Sequence, residues 1–113
     1  MNERKRLGKI QRAVFGTGGY QDAQFGLFLT LGGESWGVQT SIEGGWGLGI
    51  KCGERCAWTE EDRTRHFGDA MRKINQLLLD AKVDDVTKLV GVPVEVTFDS
   101  LKMTDWRVLK EVL

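Results

Sequence analysis

The sequence predicts an α+β fold, an antiparallel sheet of about five strands with one long amphipathic helix and one short helix on one face. One segment, residues 59–82, spaces its apolar side chains along a single stripe of an α-helix. The segments before and after it alternate or concentrate apolar residues in the manner of β-strands. A chain of 113 residues is long enough for one core and too short for two, so residues 1–113 are predicted to form a single domain.

The first half of the chain is predicted to form three strands, which cover residues 7–15, 24–31 and 35–42. The second strand alternates most cleanly, because every other residue from Phe25 to Leu31 is a large apolar side chain that would seat the helix. Gly32 and Gly33 indicate a hairpin between the second and third strands. The glycine-rich segment 44–49 has two interpretations, a bulged strand or an exposed loop.

The long helix is predicted from its first turn and from its apolar stripe. Thr59 is a favourable N-cap, and residues 60–62 place negative charge at the positive end of the helix dipole. A short helix over residues 83–89, capped by an aspartate, is expected to end near Gly91. The apolar stripe of the long helix consists of Phe67, Ala70, Met71, Ile74, Leu77, Leu78 and Ala81.

The two ends of the chain carry different signals. Residues 1–6 are mostly charged and are expected to be frayed. Residues 93–98 alternate as a fourth strand, and residues 104–113 are predicted to form the last one. Apolar residues occupy both faces of that last strand, Trp106 on one and Leu109 on the other, which indicates a central strand or half of a subunit interface.

Charge and hydropathy exclude several classes of protein. The 16 basic and 16 acidic side chains cancel, which argues against a protein that wraps duplex nucleic acid by neutralising phosphates. No apolar run reaches the length of a membrane span, and the chain start lacks the apolar core of a signal peptide. We therefore expect a cytoplasmic protein that does not enter a membrane and whose two cysteines are reduced.

Motifs for catalysis, metals and cofactors are weak. Cys52, Cys56 and His66 are the only soft metal ligands, whereas structural zinc sites use four. His66 has no nucleophile that the sequence places beside it, and the glycine runs do not match a phosphate-binding fingerprint. We expect no enzymatic activity, no cofactor, no metal site and two thiols without an assigned role.

The aromatic residues are the strongest indication of a binding site. Together with Phe98, the tryptophans Trp36, Trp46 and Trp106 lie on or beside strands among charged residues. An aromatic face with a cation for phosphate and a carboxylate for a ribose or base edge is the usual composition of a nucleotide pocket. The alternative is that the same indoles are core residues. The candidate ligand-binding residues are Trp36, Phe98, Asp99, Lys102, Trp106, Arg107 and Arg72.

Two segments carry a resemblance to a known family. Residues 26–38 contain a strand, a Gly-Gly hairpin and a second strand, in the pattern Leu-x-Leu-x-x-Gly-Gly-x-x-x-Gly. Residues 81–96 end the helix and continue as Val, acidic residues, Leu-x-Gly and a strand. With the helix between them, they resemble the Thoeris anti-defence sponge family, first type.

The resemblance implies binding without a reaction. Such phage proteins hold cyclic ADP-ribose isomers away from a defence effector, assemble as hexamers built from dimers, and in some cases bind cyclic di- or trinucleotides at a separate site. The hypothesis is therefore a homo-oligomer (dimer or hexamer) in the host cytoplasm, with ligand bound between subunits. Two alternatives stay open, a single-stranded nucleic-acid accessory protein and an inhibitor that binds a host defence protein directly.

Overall fold

Five antiparallel strands form one sheet in the computed structural model, which describes residues 3–113. One long α-helix and three short 3-10 turns complete the fold, and the predicted α+β class is confirmed. The strands are β1 Glu3–Gly18, β2 Gln24–Gly33, β3 Trp36–Trp46, β4 Pro93–Asp99 and β5 Lys102–Val108. The helix is α1 Glu60–Ala81, and the 3-10 turns are Tyr20–Asp22, Val86–Leu89 and Lys110–Val112.

The long first strand joins the two halves of the sheet. The strand order is β3-β2-β1-β4-β5, and β1 changes partner near Lys9, since residues 3–9 pair with β4 and residues 9–18 pair with β2. Gln11 is bulged between Ile10 and Arg12 in the ladder with β2. A bulge increases local twist, so the sheet curls where β1 exchanges its neighbours.

The core lies between the sheet and α1. Leu27, Leu29 and Leu31 point from β2 toward the helix and are buried, as the alternation predicts. The helix contributes the buried residues Ile74 and Leu77 to the same core. The buried stripe of α1 contains fewer residues than predicted, because Met71 is 48% exposed and Phe67 is only half-buried.

The helix begins with a reciprocal pair of side-chain hydrogen bonds. The Thr59 hydroxyl accepts from the Asp62 backbone N–H at 3.1 Å, and the Asp62 carboxylate accepts from the Thr59 N–H at 2.9 Å. The bond from the Thr59 N–H, together with that from Arg65, lowers the pKa of Asp62. The pair satisfies two of the backbone donors that an α-helix leaves free at its first turn.

Replacing Thr59 by alanine is expected to lower the free energy of unfolding by about 1 kcal/mol, because the Asp62 N–H loses its acceptor. Equilibrium urea denaturation measures this change. Thr64→Ala is the matched control, since Thr64 is exposed within α1 and alanine has the higher helix propensity. Equal losses in both variants would show that the capping pair contributes nothing.

Both chain ends differ from the sequence prediction. Residues 3–6 are strand rather than frayed, because they pair with residues 96–99 of β4; residues 1–2 lie outside the described part of the chain. The last strand ends at Val108 and lies at the edge of the sheet, so a central position is wrong. Leu109 is buried where the chain turns out of the strand, which explains the apolar residues on both faces.

Two further predictions, for segment 44–49 and for the short helix, are settled by the fold. The segment 44–46 is the irregular end of β3, and the chain is a loop from Gly47 to Thr59. The predicted short helix is the 3-10 turn Val86–Leu89, and Asp85 caps it by accepting from the Thr87 N–H at 2.7 Å. Among residues 3–113, α1 is too polar to cross a membrane, and the remaining helical segments are too short.

Candidate functional site

Three predicted aromatic residues lie on the face of the sheet that carries the core. Residues directly opposite each other in an antiparallel ladder share a face. Arg6 and Trp106 therefore flank Val96 on that face, from β1 and β5 respectively. In the same way, Arg4 and Met103 flank Phe98, so two arginines on one side and two apolar side chains on the other flank the buried residues Val96 and Phe98 of β4.

Trp36 completes this arrangement from the start of β3. Its ring meets the ring of Phe98 edge to face, with centroids 5.7 Å apart and an interplanar angle of 79°. The Arg6 guanidinium carbon lies 5.0 Å from the centroid of the Trp36 ring, within the range of a cation–π interaction. The arginine–aromatic surface is defined as Arg4, Arg6, Trp36, Phe98, Met103 and Trp106.

The surface has positive charge available for an anion. Arg4 and Arg6 are exposed, and among residues 3–113 neither lies within ion-pair distance of a carboxylate. Trp36 and Trp106 are half-buried, so each indole packs on the core and keeps part of its surface in solvent. Guanidinium groups beside partly exposed indoles favour ligands that carry both phosphate and a planar ring.

Arg107 lies on the opposite face of the sheet from Trp106. It is opposite Glu95 in the ladder and forms ion pairs with Glu95 at 3.1 Å and Glu111 at 2.9 Å. The two carboxylates raise the pKa of Arg107, and the arginine lowers the pKa of Glu111 to about 2. The charge of Arg107 is thus already shared between two carboxylates.

The remaining predicted residues lie apart from one another. Asp99 and Lys102 are opposite each other at the β4–β5 turn, and both are exposed. Arg72 lies on the exposed side of α1. The structure places Trp36, Phe98 and Trp106 on one face of the sheet. The arginines on that face are Arg4 and Arg6. The predicted basic residues lie elsewhere; they are Arg107, Lys102 and Arg72.

Sequence reasoning missed Arg4 and Arg6 because residues 1–6 were not assigned to a strand. The available signal was the alternation Arg4, Arg6, Gly8, Ile10, which places both arginines on the face of a buried isoleucine.

Cys52 and Cys56 lie in the loop before α1, and His66 lies within α1. The Cys52 thiol donates to the Trp58 carbonyl at 2.6 Å, and neighbouring Cys56 together with burial raises the pKa of Cys52 to about 11. A thiol with a raised pKa is a poor nucleophile at neutral pH. Within residues 3–113, no three His, Cys, Asp or Glu side chains are grouped as metal ligands, and His66 is exposed.

Comparison of the chain with protein-family models, curated proteins and solved structures gave no match.

Proposed function

We propose that this protein binds and sequesters a cyclic nucleotide signal, of the cyclic ADP-ribose type or a cyclic oligonucleotide, without degrading it. The observation that supports the proposal is the Arg6 guanidinium over the Trp36 ring, with Phe98 edge-on behind that ring. This combination offers a stacking surface and an anion partner at one place. The resemblance of residues 26–38 and 81–96 to the sponge family gives the same ligand class.

The spacing of the two arginines suits a ligand with more than one phosphate. Arg4 and Arg6 are two residues apart on one strand, which separates their Cα atoms by about 7 Å on the same face. Each guanidinium can donate two hydrogen bonds to one phosphate. A base would then stack on the exposed part of Trp36 or Trp106, on either side of the Arg6–Val96 pair.

Binding without turnover agrees with the chemistry of the surface. Guanidinium, indole, phenyl and thioether groups supply neither a nucleophile nor a general base at neutral pH. The rings of Trp36 and Trp106 are only half-buried, so a second subunit would shield a ligand that one subunit leaves partly in water. We propose that the free edge of β5 forms part of this homo-oligomeric interface, in a dimer or hexamer.

Arg6→Gln is expected to weaken binding of a cyclic ADP-ribose isomer at least tenfold, about 1.4 kcal/mol, because the ligand phosphate loses a charged partner. Isothermal titration calorimetry against cyclic ADP-ribose isomers and cyclic di- and trinucleotides measures the affinity. Recovery of unchanged ligand after denaturation of the protein separates sequestration from turnover.

The matched control is Arg107→Gln, an exposed arginine on the opposite face. The proposal requires that this control binds as the unsubstituted protein does. A loss in Arg107→Gln with no loss in Arg6→Gln would move the site to the other face. Absence of heat with every nucleotide would reject the function.

A second candidate is single-stranded nucleic-acid binding, favoured by the basic run of β1, which contains Arg4, Lys5, Arg6 and Lys9. Non-specific binding of this kind weakens steeply with added salt, whereas a sequestered small ligand is held by fewer phosphate contacts. Titration with a short oligonucleotide at two salt concentrations distinguishes the two.

A further inference from the structure

A separate cavity lies on the face of the sheet opposite α1. Its volume is about 520 Å³, within the range of small-molecule sites. Phe28 and Thr30 alternate along β2 with the buried leucines that face the helix, so they point away from the core. The open-face cavity is defined by Arg12, Val14, Asp22, Phe28, Thr30 and Gln39.

Phe28, with Val14 directly opposite it in the ladder, forms the apolar wall of the cavity. Its ring is half-buried and packs directly against the backbone at Gly18, where an added Cβ would lie 3.0 Å from the Phe28 Cε2 atom. Because residue 18 is a glycine, the backbone of β1 approaches one edge of the Phe28 ring closely. The ring is held in place by this contact, and it also lines the cavity.

Arg12 supplies the positive charge of the cavity. It lies in one row with Thr30 of β2 and Gln39 of β3, so guanidinium, hydroxyl and amide groups line up across three strands. Within residues 3–113, Arg12 has no carboxylate at ion-pair distance. Its donors are therefore available to an anionic group of a ligand.

Asp22 supplies a carboxylate from the β1–β2 connection. Gln21 and Asp22 both have φ of 53°, a left-handed conformation that side-chain-bearing residues rarely adopt. The Asp22 N–H donates to the Gly19 carbonyl at 3.1 Å, and the Gln24 side chain accepts from the Tyr20 N–H at 3.1 Å. The turn thus holds Asp22 at the wall of the cavity, without an ion pair to Arg12.

We propose that the open-face cavity binds a phosphorylated sugar ring. Arg12 would donate to the phosphate, Asp22 and Gln39 would bind ring hydroxyls, and Phe28 would pack against the C–H face of the ring. A base is the less suitable occupant, because the cavity has one aromatic wall while most of its other side chains end in hydroxyl, amide or charged groups. This site does not depend on the proposed function, since the arginine–aromatic surface lies on the opposite face.

Two kinds of ligand carry a phosphorylated sugar, a free sugar phosphate and a nucleotide with its ribose phosphate. We would record amide chemical shifts of the labelled full-length protein during titration with ribose 5-phosphate, glucose 6-phosphate, AMP and inorganic phosphate. Binding of either sugar phosphate, with the largest shifts at Thr30 and Gln39, is the expected result. Binding of AMP as tightly as ribose 5-phosphate would show that the site accepts the ribose phosphate of a nucleotide, and binding of the free sugar phosphates without AMP would restrict it to the free source.

The variant Arg12→Gln is expected to weaken sugar phosphate binding at least tenfold, about 1.4 kcal/mol. Asp22→Asn is the second variant, because asparagine tolerates the left-handed backbone. Arg65→Gln, an exposed arginine on α1, should bind normally, and Trp36→Ala should leave this site unchanged even if nucleotide sequestration is lost. Binding of AMP without ribose 5-phosphate, no shifts with any sugar phosphate, or equal loss in Arg65→Gln would each overturn the proposal.

Discussion

Replacing Arg63 by alanine is expected to lower the free energy of unfolding by about 3 kcal/mol. Arg63 is only 4% exposed, although it lies in the first turns of α1. Its guanidinium donates to the carbonyls of Gly47 and Ile50 and forms an ion pair with Glu60 at 2.9 Å. The ring of Trp58 lies beneath it, with the guanidinium carbon 4.6 Å from the ring centroid.

The loss of stability is expected to be large because the Arg63 side chain contacts both ends of the loop between β3 and α1. The loop from Gly47 to Thr59 has few backbone hydrogen bonds of its own. The buried Arg63 guanidinium binds the loop at the carbonyls of Gly47 and Ile50. Alanine leaves two loop carbonyls without their charged donor and leaves Trp58 without its stacked cation. The loop and the start of α1 are then expected to lose their contact together.

Urea denaturation of Arg63→Ala and Arg65→Ala provides the measurement and its control. Arg65 is two residues away on the same helix, its side chain is 63% exposed, and it pairs with Asp62 in solvent. Exposed pairs of this type contribute about 0.5 kcal/mol or less, so the control should unfold almost normally. Arg63→Lys, which keeps the charge but not the planar fork, should fall between the two. Similar losses at positions 63 and 65 would contradict a role for the buried guanidinium.

The long helix could be predicted from sequence because its signals are local. Thr59 and Asp62 are three residues apart, and each cap bond lies within one turn. The same holds for β2, where the alternation from Phe25 to Leu31 reports one buried face. Such elements are specified by neighbours in the chain, and their bounds agree with the structure to within two residues.

The start of β1 and the position of β5 could not be predicted in this way. Residues 3–6 are ordered by pairing with the end of β4, which comes from the far end of the chain. Residues 3–6 are mostly charged, which favours contact with water. This part of β1 pairs only with β4, so its other edge is free and the charged side chains stay exposed. The place of β5 at the sheet edge likewise follows from β4 pairing with β1, a long-range contact that no local pattern encodes.

The candidate site was predicted in part for the same reason. Aromatic residues on strands are visible in the sequence, so Trp36, Phe98 and Trp106 could be chosen as candidates from it. Side chains alternate between the two faces along a strand, and this alternation was not applied to β5. Trp106 and Arg107 are consecutive residues of that strand, so their side chains point to opposite faces of the sheet. The arginines that share the face of Trp106 come from β1, and their proximity depends on the register between distant strands.

Gly8→Ala is expected to lower the free energy of unfolding by about 2 kcal/mol and to weaken nucleotide binding at the arginine–aromatic surface. A Cβ atom at position 8 would lie 2.5 Å from the Gly32 carbonyl oxygen and 2.9 Å from the Trp36 Cζ2 atom. The first contact is with backbone, so the curled junction of β1 and β2 must open to accommodate a methyl group. The second contact would displace the indole that stacks under Arg6.

Gly37→Ala is the control that separates steric displacement from the loss of a strand glycine. Position 37 adjoins Trp36 in the chain, but a Cβ there would lie 3.7 Å from its nearest neighbour, the Leu31 carbonyl oxygen, at ordinary contact distance. Alanine in place of an exposed strand glycine reduces the entropy of the unfolded chain, so this variant should be neutral or slightly more stable. Urea denaturation and the indole N–H resonance of Trp36 report the two effects separately. If Gly8→Ala unfolds like Gly37→Ala and leaves that resonance unmoved, the close approach of β2 to β1 does not position Trp36.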